Sequence, residues 1–160
     1  MKRLIKNILA KAYTWKLKRT ARSSGPRCRA NGWVSAANLH LGEDCHFNGM
    51  RVYGRGKVTI GSHFHSGKGL TILTEFHDYE GAQLPYDEKV LVRDVEIGRN
   101  VWVGLDVCIL GGVKIGEGAI IQARSVVVND IPPLAIAGGH PAKVFKSRDK
   151  DHYDALVKTQ

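Results

Sequence analysis

The sequence predicts an all-β solenoid, preceded by one amphipathic helix and followed by a shorter one. Three observations predict it: an aliphatic residue every six positions, a small residue directly after it, and a helical period confined to the N-terminus. Read from Leu91 in steps of six, the chain places Leu91, Ile97, Val103, Ile109, Ile115, Ile121 and Val127 in one register. Glycine follows at Gly98, Gly104 and Gly116, and the fifth place of each hexad holds Val95, Val101, Val107, Val113, Ala119, Ser125 and Ile131. Six residues suffice for a short strand and a corner, with the aliphatic side chain pointing inward and the small residue sitting where the backbone bends. Stacked units of this kind share one narrow aliphatic core. Upstream, Leu41-Gly42 and Ile60-Gly61 mark earlier coils, with an irregularity between Phe47 and Ile60.

The helical period belongs to Leu4, Ile5, Ile8, Leu9, Ala12 and Tyr13, which recur at three-to-four spacing among basic residues. Ser23-Ser24-Gly25-Pro26 is expected to end that helix. Between Ile72 and Leu91 the spacing is 19 residues, 13 more than one repeat, and the extra stretch is polar with aromatics. It is expected to leave the solenoid as a loop, and loops on a rigid scaffold are favoured places for binding. Ile131-Pro132-Pro133 is expected to end the repeats, because prolines cannot continue a paired strand. The domain division is therefore a basic arm over 1–30, a solenoid over 31–148 with an excursion at 77–90, and a helical tail over 149–160.

Charge separates these regions. The net charge of +9 resembles that of a nucleic-acid-binding protein, but ten of the 24 bases lie in residues 1–30, where there is no acid. The remaining 14 bases (24 − 10) face all 15 acids, so the body is near neutral and no nucleic-acid partner is expected. Cys28, Cys45 and Cys108 lack CxxC spacing, which argues against a disulfide framework or a zinc knuckle. Reduced thiols fit a cytoplasmic protein. Lys6 and Lys11 interrupt the apolar residues of the N-terminus, so neither a secretory leader nor a spanning helix is expected. The basic helix is suited to the anionic inner face of a membrane through residues 1–22, or to packing on the solenoid end or a neighbouring subunit.

The stretch VEIGRNVWVGLDVCILGGVKIGEGAIIQARSVVVNDIPPLAIAGGHPAKVFK resembles the hexapeptide-repeat acyltransferases, within them the sugar O-acetyltransferases related to galactoside and maltose acetyltransferase and to capsule or O-antigen modifying enzymes. The resemblance covers about residues 39–148. It implies a left-handed parallel β-helix with three hexads per coil, an exception to the usual right-handed crossover. It also implies a homotrimer with active sites between subunits, and acetyl-CoA as co-substrate with no metal.

His77, in Thr74-Glu75-Phe76-His77-Asp78-Tyr79, matches the position of the family's catalytic histidine. An imidazole can accept the proton of a sugar hydroxyl as its oxygen attacks the thioester, which turns a poor nucleophile into an adequate one. Direct attack in a ternary complex needs no Ser or Cys nucleophile, and no nucleophile triad is evident in the chain. Asn48 aligns with an acceptor-contacting asparagine of galactoside acetyltransferase and is equally suited to an asparagine ladder. Tyr79 and Tyr86 in the excursion are further acceptor candidates. By resemblance Leu105 and Ala123 line the pantetheine groove, Val128 and Asn129 lie farther along it, and Lys143 and Lys146 approach the CoA phosphates. Trp102, exposed at a turn in family members, is suited to flanking the cofactor or to packing. Arg124 departs from the family's usual small residue.

Other chemistries on the same solenoid fit less well. A γ-type zinc carbonic anhydrase resembles three histidines, two of them five apart, whereas Ala82 stands five after His77 and His63-Phe64-His65 lacks the third partner. A non-catalytic solenoid does not account for His77 and the CoA-like C-terminal segment together. N-acetylation of an amino sugar or nucleotide amino sugar remains the alternative to a hydroxyl acceptor.

Overall fold

The computed structural model describes residues 2–160; Met1 and the side chains of Lys2 and Arg3, which belong to the expected basic arm, lie outside the described residues. The repeats wind into a three-faced parallel β-solenoid. Its first face stacks Ser23–Ser24, Leu39–Leu41, Val58–Ile60, Val95–Ile97 and Lys114–Ile115, and an Ile115–Ile131 bridge adds a sixth row. The second face stacks Arg29–Ala30, His46–Phe47, His65–Ser66, Trp102–Val103, Ile120–Ile121 and Ala135–Gly139. On the third face lie Val34–Ser35, Met50–Tyr53, Leu70–Leu73, Cys108–Leu110 and Val126–Val127.

The six-residue register maps directly onto the interior. Ile97, Val103, Ile109, Ile115, Ile121 and Val127 are all buried, and so are the residues two places before them, from Val95 to Ser125. Leu39, Cys45, Val58, Phe64 and Leu70 fill the same places in the earlier coils, with Leu41 pairing to Ile60 and Ile60 to Ile97. Leu91 does not belong to this set. It lies in Val90–Val92, which pairs antiparallel with Glu75–His77 as an arm off the wall. Ile72 pairs with Ile109, 37 residues on, whereas Ile109 pairs with Val127, 18 on; the excursion thus holds 37 − 18 = 19 residues beyond one coil, not 13 beyond one hexad. The apolar step at Leu91 is a strand signal in the arm that falls by coincidence on the coil period.

The small residue after each aliphatic is required by the neighbouring coil more than by the bend. A Cβ on Gly61 would sit 2.5 Å from the Arg99 nitrogen, and one on Gly98 would sit 2.7 Å from the Glu117 nitrogen. Two places later each corner adopts a left-handed conformation, at Arg27, Asp44, His63, Asn100, Gly118 and Leu134, with φ between 54° and 69°. Only one of the six is glycine, so stacking overrides a local cost of roughly 1 kcal/mol per residue.

Pro132-Pro133 does not stop the solenoid. Ala135–Gly139 continues the second face parallel to Ile120–Ile121, because the prolines occupy a corner where a donor is dispensable. Winding ends when the chain reverses at Gly139–Ala142 and Ala142–Ser147 runs back antiparallel. Helix α2 (Lys150–Val157) starts on Asp149, whose carboxylate accepts from the His152 N–H at 2.7 Å. Tyr153 ties it to two coils, accepting from Asn100 at 2.9 Å and donating to Glu117 at 3.0 Å.

Helix α1 (Lys2–Thr20) ends at Thr20, and Ser23–Ser24 is the first strand of the first face. The first coil thus begins inside the stretch assigned to the arm. Leu17 is fully buried in the core, Tyr13 packs against it, and Thr14 Oγ1 accepts from the Ala30 N–H at 3.0 Å. The second half of α1 therefore caps the open end of the solenoid, covering apolar residues that a terminal coil would leave wet.

Candidate active site

The arm carries His77 away from the wall and holds it by contacts within the excursion. The imidazole is exposed, its Nδ1 lies 3.2 Å from the Asp87 carbonyl oxygen, and its ring stacks on Tyr86 with centroids 4.0 Å apart and planes at 17°. A carbonyl can only accept, so Nδ1 carries a hydrogen, and in the neutral imidazole the lone pair is then on Nε2. The Asp87 carboxylate in turn accepts from the Ala82 N–H at 2.9 Å and the Lys89 N–H at 2.8 Å. Those two backbone donors hold its carboxyl below the usual carboxylate range. At the neck of the loop Lys89 donates to Asp78 at 2.6 Å, which lowers the Asp78 pKa and raises that of Lys89. An imidazole presented on an exposed arm thus has its ring plane set by Tyr86 and its Nδ1 engaged by the Asp87 carbonyl.

The other sequence-derived residues fall on two edges and one face. Asn48, Leu105 and Ala123 lie along the edge between the second and third faces. Gly104 and Ala123 meet across adjacent coils, where a Cβ on the glycine would stand 2.5 Å from the Ala123 nitrogen. Lys143 pairs with Gly138 at the upper end of this edge, so Leu105, Ala123 and Lys143 follow one line. Leu105 is 42% exposed, which supplies apolar surface beside bare backbone. Val128 and Asn129 lie on the opposite edge of the third face, above the coil from which the His77 arm departs. Trp102 is in a strand of the second face and not at a turn; it is 54% exposed, in a row that runs from His65 through Ile120 and Ile136 to Lys146. Tyr79 is exposed at the arm, whereas Tyr86 is the stacking partner of His77. The Asn48 side chain donates to the Ser66 carbonyl at 2.8 Å and accepts from Asn31 at 3.4 Å, so it is engaged in a ladder.

The Asp87 carbonyl is the functional group that sequence reasoning missed. Every residue has a carbonyl, so nothing in the residue types pointed to position 87. Arg124 lies in the left-handed region at φ 59°, and its carbonyl accepts from His140 Nε2. That contact pins the corner beside Ala123 to the final turn.

The thiols are unsuited to acyl transfer. Burial pushes the Cys45 thiol up to about 12, with Cys28 beside it, and burial also raises that of half-buried Cys108. Among the described residues no three His, Cys, Asp or Glu side chains converge as a metal-ligand set. His63 Nδ1 and His46 Nε2 each face Asp44, at 3.4 and 3.2 Å.

A parallel β-solenoid built on a six-residue period is the architecture of the hexapeptide-repeat class. Residues 94–129 match the family described as Bacterial transferase hexapeptide (six repeats). The chain belongs to the hexapeptide-repeat acetyltransferase family. It is 31% identical over 134 residues to galactoside O-acetyltransferase of Escherichia coli (strain K12), a match covering 77% of this chain and 66% of that protein. It is 47% identical over 64 residues to a chloramphenicol acetyltransferase of Morganella morganii, covering 40% of this chain and 30% of that one. The matched stretches thus span just under two thirds and about a third of these relatives' lengths. A solved galactoside acetyltransferase in complex with coenzyme A shares the fold, with a TM-score of 0.74 at 24% identity over 95% of this chain and 83% of that one.

Proposed function

We propose that this chain transfers an acetyl group from acetyl-CoA to a hydroxyl of a saccharide, such as a cell-surface polysaccharide precursor, with His77 as the general base. The observation that carries the proposal is the contact of Nδ1 with the Asp87 carbonyl at 3.2 Å, which in the neutral ring places the hydrogen on Nδ1 and the lone pair on Nε2. The acceptor oxygen attacks the thioester carbonyl as Nε2 takes its proton. The tetrahedral centre then collapses, the C–S bond breaks, and the CoA thiolate leaves and takes the proton from the imidazolium. Direct transfer is the reading that suits these thiols, since burial raises those of Cys45 and Cys108 and so disfavours the nucleophilic thiolate.

The edge through Leu105, Ala123 and Lys143 suits acetyl-CoA. Exposed backbone and apolar surface face the pantetheine arm, and Lys143 and Lys146 provide cations for the phosphates. Val128 and Asn129 lie across the third face from that edge, so a groove lined by both sets takes its second wall from another copy. A homotrimer with three inter-subunit grooves meets this requirement. Tyr79 and Trp102 are the acceptor and flanking contacts on this reading, with Asn48 held in its ladder. The free thiols of Cys28, Cys45 and Cys108 suit the cytoplasm.

The test is thiol release from acetyl-CoA across a panel of sugars, nucleotide sugars, oligosaccharides and chloramphenicol, run beside His77→Ala. A saccharide should give turnover that the variant lacks, with intersecting double-reciprocal lines. Wild-type turnover in His77→Ala, or parallel lines, overturns the mechanism. An amino sugar outcompeting every hydroxyl acceptor overturns the O-transfer reading.

A further inference from the structure

Helix α1 is divided into two halves with different surroundings. Its second half is fastened to the solenoid end through Leu17, Tyr13 and Thr14, as described above. Its first half projects past that anchorage with Leu4 65%, Ile5 52%, Ile8 58% and Leu9 48% exposed. Four large aliphatic side chains within six residues are left in water, although the same helix buries Leu17 completely.

Their placement is ordered. At 100° per residue, Leu4, Trp15, Ile8, Ala12, Ile5 and Leu9 fall in an arc of about 140°, whose centre lies roughly 150° around the helix from the anchored side chains. The middle of the apolar arc therefore faces away from the solenoid, while at its edge Ile5 and Leu9 border a recess shared with Tyr13 and Asn31. Trp15, 62% exposed, extends the arc toward the anchored half, with the Arg19 guanidinium 4.8 Å over its ring. Lys11 and Lys18 border the arc on one side. None of the nine ion pairs among the described residues involves α1, so the described cations from Lys6 to Arg19 have no acidic partner among the described residues.

We infer that this outward face of α1 docks the protein on an anionic lipid bilayer, with Leu4, Ile5, Ile8 and Leu9 entering the interface and the neighbouring lysines and arginines meeting the headgroups. Charge selects the occupant. Residues 1–30 carry ten bases and no acid, while the rest of the chain is near neutral, so a second copy offers little net opposite charge and its own α1 would be repelled. A bilayer rich in acidic lipid supplies both an apolar phase and negative charge. No helix among the described residues is long and apolar enough to cross a membrane, so α1 lies in the interface plane. The anchored half fixes the solenoid at the surface, where lipid-linked acceptors would be concentrated.

The experiment is vesicle sedimentation of the full chain, with phosphatidylcholine vesicles containing about 30 mol% phosphatidylglycerol beside pure phosphatidylcholine, at low and high salt. The protein should pellet with the acidic vesicles only, and raising the salt should release most of it. The double variant Leu4→Ser/Ile8→Ser changes two exposed positions, so it should keep the parent melting temperature while its partitioning falls at least tenfold. A full chain that stays in the supernatant, or a folded variant that pellets like the parent, overturns the proposal. Sedimentation equilibrium without lipid adds an independent outcome: dissociation of an oligomer in the variant assigns the face to a second copy and also overturns it. These readouts do not depend on acetyl transfer, so docking and catalysis can fail separately.

Discussion

The solenoid wall and the arm that carries His77 are held together by different means. In the wall, Ile97, Ile109 and Ile115 are members of a series, each held by aliphatic neighbours in the coils above and below. In the arm, few residues are buried, and the conformation rests on single contacts: Asp87 to Ala82 and Lys89, Asp78 to Lys89, and Tyr86 on His77. A repeated aliphatic core supplies stability without chemical individuality. An excursion freed from the repeat can present a histidine, held by contacts of its own.

Four substitutions sharpen the contrast. His77→Ala should lower turnover by about 10²–10⁴-fold, the usual range for a lost general base, while thermal unfolding shows no shift because the side chain is exposed. A parallel fall in melting temperature would mean that arm and wall are not separable. Ile109→Ala should do the reverse, lowering stability by about 2–5 kcal/mol in denaturant titration while the folded fraction keeps its specific activity. Asp87→Ala should lower turnover by about tenfold, a fraction of the loss from removing the base itself, with melting nearly unchanged. Proteolysis within 78–89 should become faster, and an arm as resistant as the parent's would count against the brace.

The Asp87 brace also sets a pH dependence. Its folded pKa is depressed, so its contribution is complete above the unfolded carboxylate value near about 4 and is lost as pH falls through the lower folded value. Protection of the Ala82 and Lys89 amides, taken against the intrinsic exchange rate at each pH, should therefore fall only in acid below that window, and a fall in protection near neutral pH would contradict the assignment. The smallest effect belongs to Ser66, whose buried hydroxyl has no partner at a place where Phe47 and Val103 stand in adjacent coils. Ser66→Ala should raise stability by up to about 1 kcal/mol, and a loss would imply a partner for that hydroxyl.

Much of the wall was legible in the residues because its rule is short-ranged and repeated: an aliphatic every six positions is visible wherever it recurs. The same rule misled at Leu91, which satisfies the period while belonging to the arm. At Pro132-Pro133 a sound rule about strands was applied to a corner. His77 was legible through its motif, but its orientation was not. The bond that sets its tautomer comes from a backbone carbonyl ten residues away, and the stacking ring of Tyr86 had suggested acceptor contact.

The sequence by itself determined the solenoid, the two terminal helices, the excursion, the histidine and the segregation of charge, since each is written in residue type and spacing. Tertiary structure alone decided the left-handed corners at residues as unlike as Arg27, His63 and Leu134, where the stacked backbone imposes a conformation that side chains do not announce. It alone decided which half of α1 is anchored and which is exposed, because burial depends on where the first coil ends and not on the apolar character of the helix. Repetition makes a contact readable in one dimension, whereas a contact made once, between parts far apart in the chain, exists only when the chain has folded.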